Sequence, residues 1–151
     1  GPRDGRGRLR AGPGGAPGTR MIELVDHTGE LELLLRDRTL EGVYGEALRA
    51  LAEQAVPGGG DGGGVRPVDV HASGPDTLLA DLLNECVFLM VTEGFVARRV
   101  RVRELSGGHL RGELVGRVHD DVRPVVKAAT YHGLRVWREG GEWRARVVLD
   151  V

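Results

Sequence analysis

Two carboxylates stand side by side at residues 150–151, the side chain of Asp150 and the α-carboxylate of Val151. The preceding stretch, 143–149 (WRARVVL), reads as a strand that would hold them together. Like charges that close repel, and either a hard divalent cation or full solvation relieves them. Near the start of the apolar sequence, Asp26-His27-Thr28-Gly29-Glu30 gathers acids and an imidazole around a glycine. That composition suits metal binding or acid–base chemistry, and it equally suits a capped, solvated turn.

Two further clusters carry positive charge. Lys127 is the only lysine among 21 cationic residues, and it precedes Ala128-Ala129-Thr130-Tyr131-His132-Gly133. A chain so biased to arginine keeps a lysine either by chance or because a compact, flexible ammonium is needed there. In Arg98-Arg99-Val100-Arg101-Val102-Arg103 the alternation puts Arg99, Arg101 and Arg103 on one strand face. Such a face is either solvated or a docking surface for a phosphate-rich or acidic partner. No phosphate-binding Gly loop ends in GK[ST], and no Gly-x-Ser-x-Gly elbow is present. Cys86 falls on the apolar stripe of a helix, so its expected role is packing.

Positioning these clusters requires an α+β fold. Residues 22–25 and 30–36 predict strands around the acidic turn, with Leu31, Leu33 and Leu35 alternating with Glu30, Glu32 and Leu34. Thr39 predicts an N-cap, followed by a helical stripe of Leu40, Val43, Tyr44, Ala47, Leu48 and Leu51. Pro57 and GGGDGGG end that helix, and 65–72 predict a strand kept to a sheet edge by Pro67. Gly74-Pro75-Asp76 opens a second helix with a stripe of Leu79, Leu82, Leu83, Cys86, Val87, Met90 and Val91, stopped by Gly94. Strands follow at 95–104, 109–119, 124–130, 134–138 and 143–150. The expectation is a two-layer sandwich, a mostly antiparallel sheet covered by two amphipathic helices.

Composition bounds the rest. Residues 1–20 are Gly/Pro/Arg-rich and lack apolar periodicity, so they predict a disordered tail before a domain at 21–151. Five arginines against Asp4 give that tail a net charge of +4, so the remainder carries −5 where the whole chain carries −1. A mildly acidic domain argues against holding nucleic acid by bulk electrostatics. A single cysteine excludes an internal disulfide and a Cys-based zinc site, and no membrane span is visible, so the expected setting is the cytoplasm.

In combination the blocks resemble the archease family. They are Asp26-His27-Thr28, Thr39-Leu40-Glu41, Leu82-Leu83-Asn84-Glu85, Thr92-Glu93-Gly94, Lys127-Ala128 with Thr130-Tyr131-His132-Gly133-Leu134, and Val148-Leu149-Asp150-Val151. The resemblance implies a non-catalytic accessory protein that promotes guanylylation and turnover of an RtcB-type RNA ligase in tRNA splicing or RNA repair. It implies a divalent metal (Ca, Mg or Mn) on Glu30, Asp150 and the Val151 carboxylate. His27, Lys127, Tyr131 and His132 would border that site or contact the ligase, with indirect contact to RNA. The family's turn ordinarily reads His-Thr-Ala-Asp, whereas this chain has His27-Thr28-Gly29-Glu30, one methylene longer at the acid. The other readings are a small metal-dependent phosphohydrolase using His27 or His132 as base, and an RNA-binding or chaperone-like module using the arginine strand.

Overall fold

The computed structural model describes residues 8–9, 18–23, 29–60, 62–123 and 125–151, with 8–9 and 20–23 described in backbone only. Its elements run β1 (Arg8–Leu9), β2 (Gly18–Glu23), β3 (Glu30–Asp37), α1 (Leu40–Ala55), β4 (Gly64–His71), α2 (Pro75–Glu93), β5 (Phe95–Leu105), β6 (His109–Val118), β7 (Ala128–Glu139) and β8 (Glu142–Asp150). The strands form two sheets rather than one. A five-stranded sheet has the order β1-β2-β3-β8-β7, and a three-stranded sheet has the order β4-β6-β5. All their pairings are antiparallel. Each helix packs on strands of both sheets, α1 on β3 and β5, α2 on β7 and β5. One continuous core results, with Leu33, Tyr44, Leu48, Leu83, Phe95, Leu114 and Leu149 all fully enclosed.

Helix α1 follows its sequence pattern. The Thr39 hydroxyl accepts from Gly42 N–H at 2.9 Å, satisfying one orphan donor of the first turn. Val43, Tyr44, Ala47, Leu48 and Leu51 are buried. Tyr44 also needs a polar partner, and its hydroxyl donates to the Pro75 carbonyl at 2.7 Å, joining the helices. The expected stripe on α2 is too narrow. Leu78, Ala80 and Leu89 are buried as well, whereas Val91 is 62% exposed. A helix held by two sheets hides more than one face. Cys86 packs inside it, and burial pushes its thiol up to about 12.

Three strand expectations change. First, β2 begins at Gly18 and β1 lies at Arg8–Leu9, both within the segment that composition assigns to a disordered tail. β2 pairs with β3 from Gly18↔Arg36 to Glu23↔Leu31, and a ladder partner supplies backbone hydrogen bonds that composition does not register. Residues 24–25 lie outside the described residues. Second, the strands expected at 124–130 and 134–138 are one strand, β7, whose register with β8 breaks between Thr130 and Arg135. His132-Gly133 therefore makes a bulge, not a turn between strands. Third, β5 carries register shifts at Ala97/Arg99 and Val102/Glu104. Opposite them, β6 has Gly116 and Gly112, where an added Cβ would fall 2.0 Å from the Val96 and Arg101 carbonyl oxygens. Only glycine lets the bulged strand approach so closely.

The first bulge redirects Arg98. Its guanidinium is buried, donating to the Glu53 carboxylate at 2.7 Å and to the Val56 carbonyl. Helix α1 has no basic residue in its last turn, and Arg98 brings a cation to that negative end from the neighbouring strand.

Candidate metal centre

In the β3–β8 ladder Glu30 lies directly across from Asp150, and Leu31 from Leu149. Opposed residues share a face, with Cβ atoms roughly 4.5–5.5 Å apart. Leu149 lies in the core and Leu31 packs against it, so strand alternation sends both carboxylates to the outer face. Across the other edge of β8, Asp150 meets Ala128. The residues opposite Asp150 are thus an acid on one side and a methyl group on the other, and neither supplies positive charge. Two residues along the same face the situation differs, because the Glu32 carboxylate accepts from Arg146 Nε.

Backbone contacts fix the ends of these strands together. Lys127 N–H donates to the Asp150 carbonyl at 2.7 Å, and Val151 N–H donates to the Gly29 carbonyl at 2.8 Å. Gly29 has φ +67, and a Cβ there would sit 3.0 Å from an oxygen of the Val151 terminal carboxylate. Glycine is therefore favoured on two counts, dihedral and space.

The structure thus joins Glu30, Asp150, Val151 and the backbone of Lys127, whose side chain is exposed. His27, with Asp26 and Thr28, lies outside the described residues. Tyr131 and His132 fall on the β7 bulge and are both exposed. The Tyr131 hydroxyl donates to Asp81 on α2, and that hydrogen bond raises its phenol pKa. Among the described residues, Glu30, Asp150 and the Val151 terminus offer oxygen ligands, the kind that Ca²⁺, Mg²⁺ and Mn²⁺ prefer. Two acids opposed in register fit such an ion and repel without one.

Two residues that support this corner were not singled out by their chemistry in the sequence. Asn84 on α2 accepts from Ala129 N–H at 2.8 Å and donates to the Ala129 carbonyl at 3.1 Å. β7 is a sheet edge, and this amide stands in for the missing neighbouring strand. Asp81 lies three residues earlier, hence on the same helix face, which is the one signal that could have paired them. Arg146 bridges Glu32 and the Gly133 carbonyl, the latter at 2.7 Å, and so anchors the bulge.

The arginine face is less bare than its sequence suggests. Arg99, Arg101 and Arg103 are exposed, but Arg103 grips Glu113 through Nε at 3.1 Å and Nη2 at 2.8 Å. Arg101 lies across from the same glutamate.

The family model described as the Archease protein family (MTH1598/TM1083) matches residues 22–151. The chain belongs to the archease family. The Protein archease of Methanopyrus kandleri is 33% identical over 141 residues, covering 85% of this chain and 98% of that one. Its counterpart in Methanosarcina barkeri is 26% identical over 141 residues, covering 87% and 97%. Among solved structures, Methanobacterium thermoautotrophicum Protein 1598 superposes with a TM-score of 0.65 at 28% identity, covering 83% of this chain and 95% of that one. A Thermotoga maritima archease, described as a possible chaperone, shares the fold with a TM-score of 0.63 at 20% identity, covering 87% and 98%. Among the described residues, no helix of this archease-family chain is long and apolar enough to cross a membrane.

Proposed function

We propose that this chain is a non-catalytic activator of an RtcB-type RNA ligase, acting through a hard divalent cation held by Glu30, Asp150 and the Val151 carboxylate. The observation that carries the reading is the β3–β8 register, which opposes Glu30 and Asp150 on one face with no positive charge across from Asp150 in either ladder. Bound there, the ion would neutralise the acids and supply a Lewis-acidic charge at the protein surface. The chain's own residues do the positioning. Gly29 and Lys127 hold the end of β8 through backbone hydrogen bonds, and Asn84 holds the adjacent edge of β7. Lys127, just before β7, and His132, within it, have exposed side chains available to a partner beside the strand that borders Asp150. The glutamate at 30 keeps the charge of the family's aspartate while reaching one methylene further, so it would still offer oxygen ligands to the ion.

Ligase guanylylation by GTP, followed with and without this protein, tests the proposal. The expected result is stimulation by the intact chain, its loss in Asp150→Ala, and its loss when residues are appended after Val151. An active cognate ligase that the intact chain does not stimulate removes the proposal. Calcium or manganese binding that is unchanged in a Glu30→Gln, Asp150→Asn variant removes the cation from it.

A further inference from the structure

In the three-stranded sheet, β4 and β6 pair so that His71 lies directly across from His109. Asp69 precedes His71 by two residues and therefore shares its face. The imidazoles stack with centroids 4.0 Å apart and planes 10° from parallel. Both Nε2 atoms turn to the same oxygen, Asp69 Oδ1, at 2.7 Å for His109 and 3.2 Å for His71. Among the described residues this is the group whose donor atoms, three or more from His, Cys, Asp or Glu, all lie within 4.8 Å of one another. Ligand atoms around a tetrahedral zinc sit roughly 3.3 Å apart, given bonds of about 2.0–2.1 Å. The cluster already has that spacing to within side-chain rotation.

We propose that Asp69, His71 and His109 form a site for a borderline divalent transition cation such as Zn²⁺, with its remaining position open to solvent. Three observations point the same way. The donor set mixes two imidazoles with one carboxylate, which favours Zn²⁺, Co²⁺ or Ni²⁺ over Ca²⁺ or Mg²⁺. All three ligands stand on paired strands, so their spacing is set by a hydrogen-bonded ladder instead of a loop. Behind His109, Glu104 Oε2 stands 3.5 Å from Nδ1, while Glu104 Oε1 accepts from Arg111 Nη2 at 3.2 Å. A metal at Nε2 would displace the proton that Nε2 now shares with Asp69, and a carboxylate near Nδ1 would then hold the remaining proton there, the usual arrangement behind a ligating histidine. His71 and Asp69 are mostly exposed whereas His109 is largely covered, so the ion enters from the open side of β4. Once bound it clamps the edge strand to its neighbour.

The site is chemically and spatially separate from the Glu30–Asp150 pair, which lies on the other sheet, and it stands whether or not the ligase reading does. Titration of the full chain with Co²⁺ alone, followed by visible absorption, reads it directly, and Zn²⁺ should then displace the colour. The expected result is saturable binding of one ion that raises Tm, survives Glu30→Gln with Asp150→Asn, and is not displaced by excess Ca²⁺. Binding should vanish in His71→Ala with His109→Ala, and Glu104→Gln should weaken it about 10- to 100-fold. Asp69→Asn provides a second variant that keeps the shape of the cluster, and circular dichroism checks that each variant is folded. No saturable Co²⁺ binding by the intact chain overturns the proposal. So does binding that persists with unchanged affinity in the folded double-histidine variant.

Discussion

On the outer face of the three-stranded sheet Arg103 holds Glu113 and Arg111 holds Glu104, whereas at the end of the five-stranded sheet Glu30 meets Asp150. Both surfaces are rich in charge, and they differ in what lies across the ladder. The first satisfies its charges in opposite-sign pairs, which holds the sheet and leaves less free field for an anionic partner. The second sets like charge against like charge, a destabilising arrangement unless something else neutralises it. Even within the five-stranded sheet the contrast recurs over two residues, since Glu32 has Arg146 while Glu30 has an acid opposite. Charge pairing marks surface that stabilises the fold, and its local failure marks the surface proposed for function.

The comparison can be broken at several points. The largest effect is expected from Asn84→Ala, which strips both hydrogen bonds from the Ala129 backbone beside Asp150. Ala129 is buried, so its orphaned groups should lower stability by about 3 kcal/mol in urea unfolding. Cation affinity at Asp150 should fall with it.

Next comes Glu53→Gln, which leaves the buried Arg98 guanidinium without its carboxylate. A loss of about 2 kcal/mol is expected, because the cost falls on the enclosed partner although Glu53 itself is partly exposed. The pH dependence has a definite sign. The Gly58 N–H and then Arg98 hold the Glu53 carboxyl below its ordinary value of 4.5. Its contribution is therefore present above that value and is lost as pH falls below it. Melting curves of wild type and Glu53→Gln should converge on acidification and separate again toward neutrality. Curves that stay equally separated at low pH would contradict this account of Arg98.

A smaller effect is expected from Gly29→Ala, about 1 kcal/mol, since an L side chain must adopt positive φ there and crowd the Val151 carboxylate. If the Glu30–Asp150 pair depends on that turn, calorimetry should show weaker cation binding than the stability change alone would give. The smallest effect on stability belongs to Glu113→Gln on the opposing face. Releasing Arg103 there should leave Tm nearly unchanged while strengthening salt-sensitive binding to RNA or heparin. Unchanged polyanion binding would mean that Glu113 does not limit this face.

The sequence by itself determined both helices and most of the strands. Their apolar periods, the Thr39 cap and the Gly94 stop are local signals, and the structure places α1, α2, β3, β6 and β8 within a residue or two of where those signals put them. Residue chemistry also marked Glu30, Asp150 and Val151, some 120 positions apart, and only the family resemblance joined them into one expected metal site. Tertiary structure alone decided that Glu30 and Asp150 face one another, because register is a property of two strands and neither strand encodes its partner. The same holds for Arg98, whose carboxylate partner Glu53 lies on another element, and for β7, where a bulge anchored by Arg146 took the place of a turn. Asp69, His71 and His109 were hidden for that reason too. Thirty-eight positions separate the two histidines in the chain, and only the β4–β6 ladder sets their rings in contact.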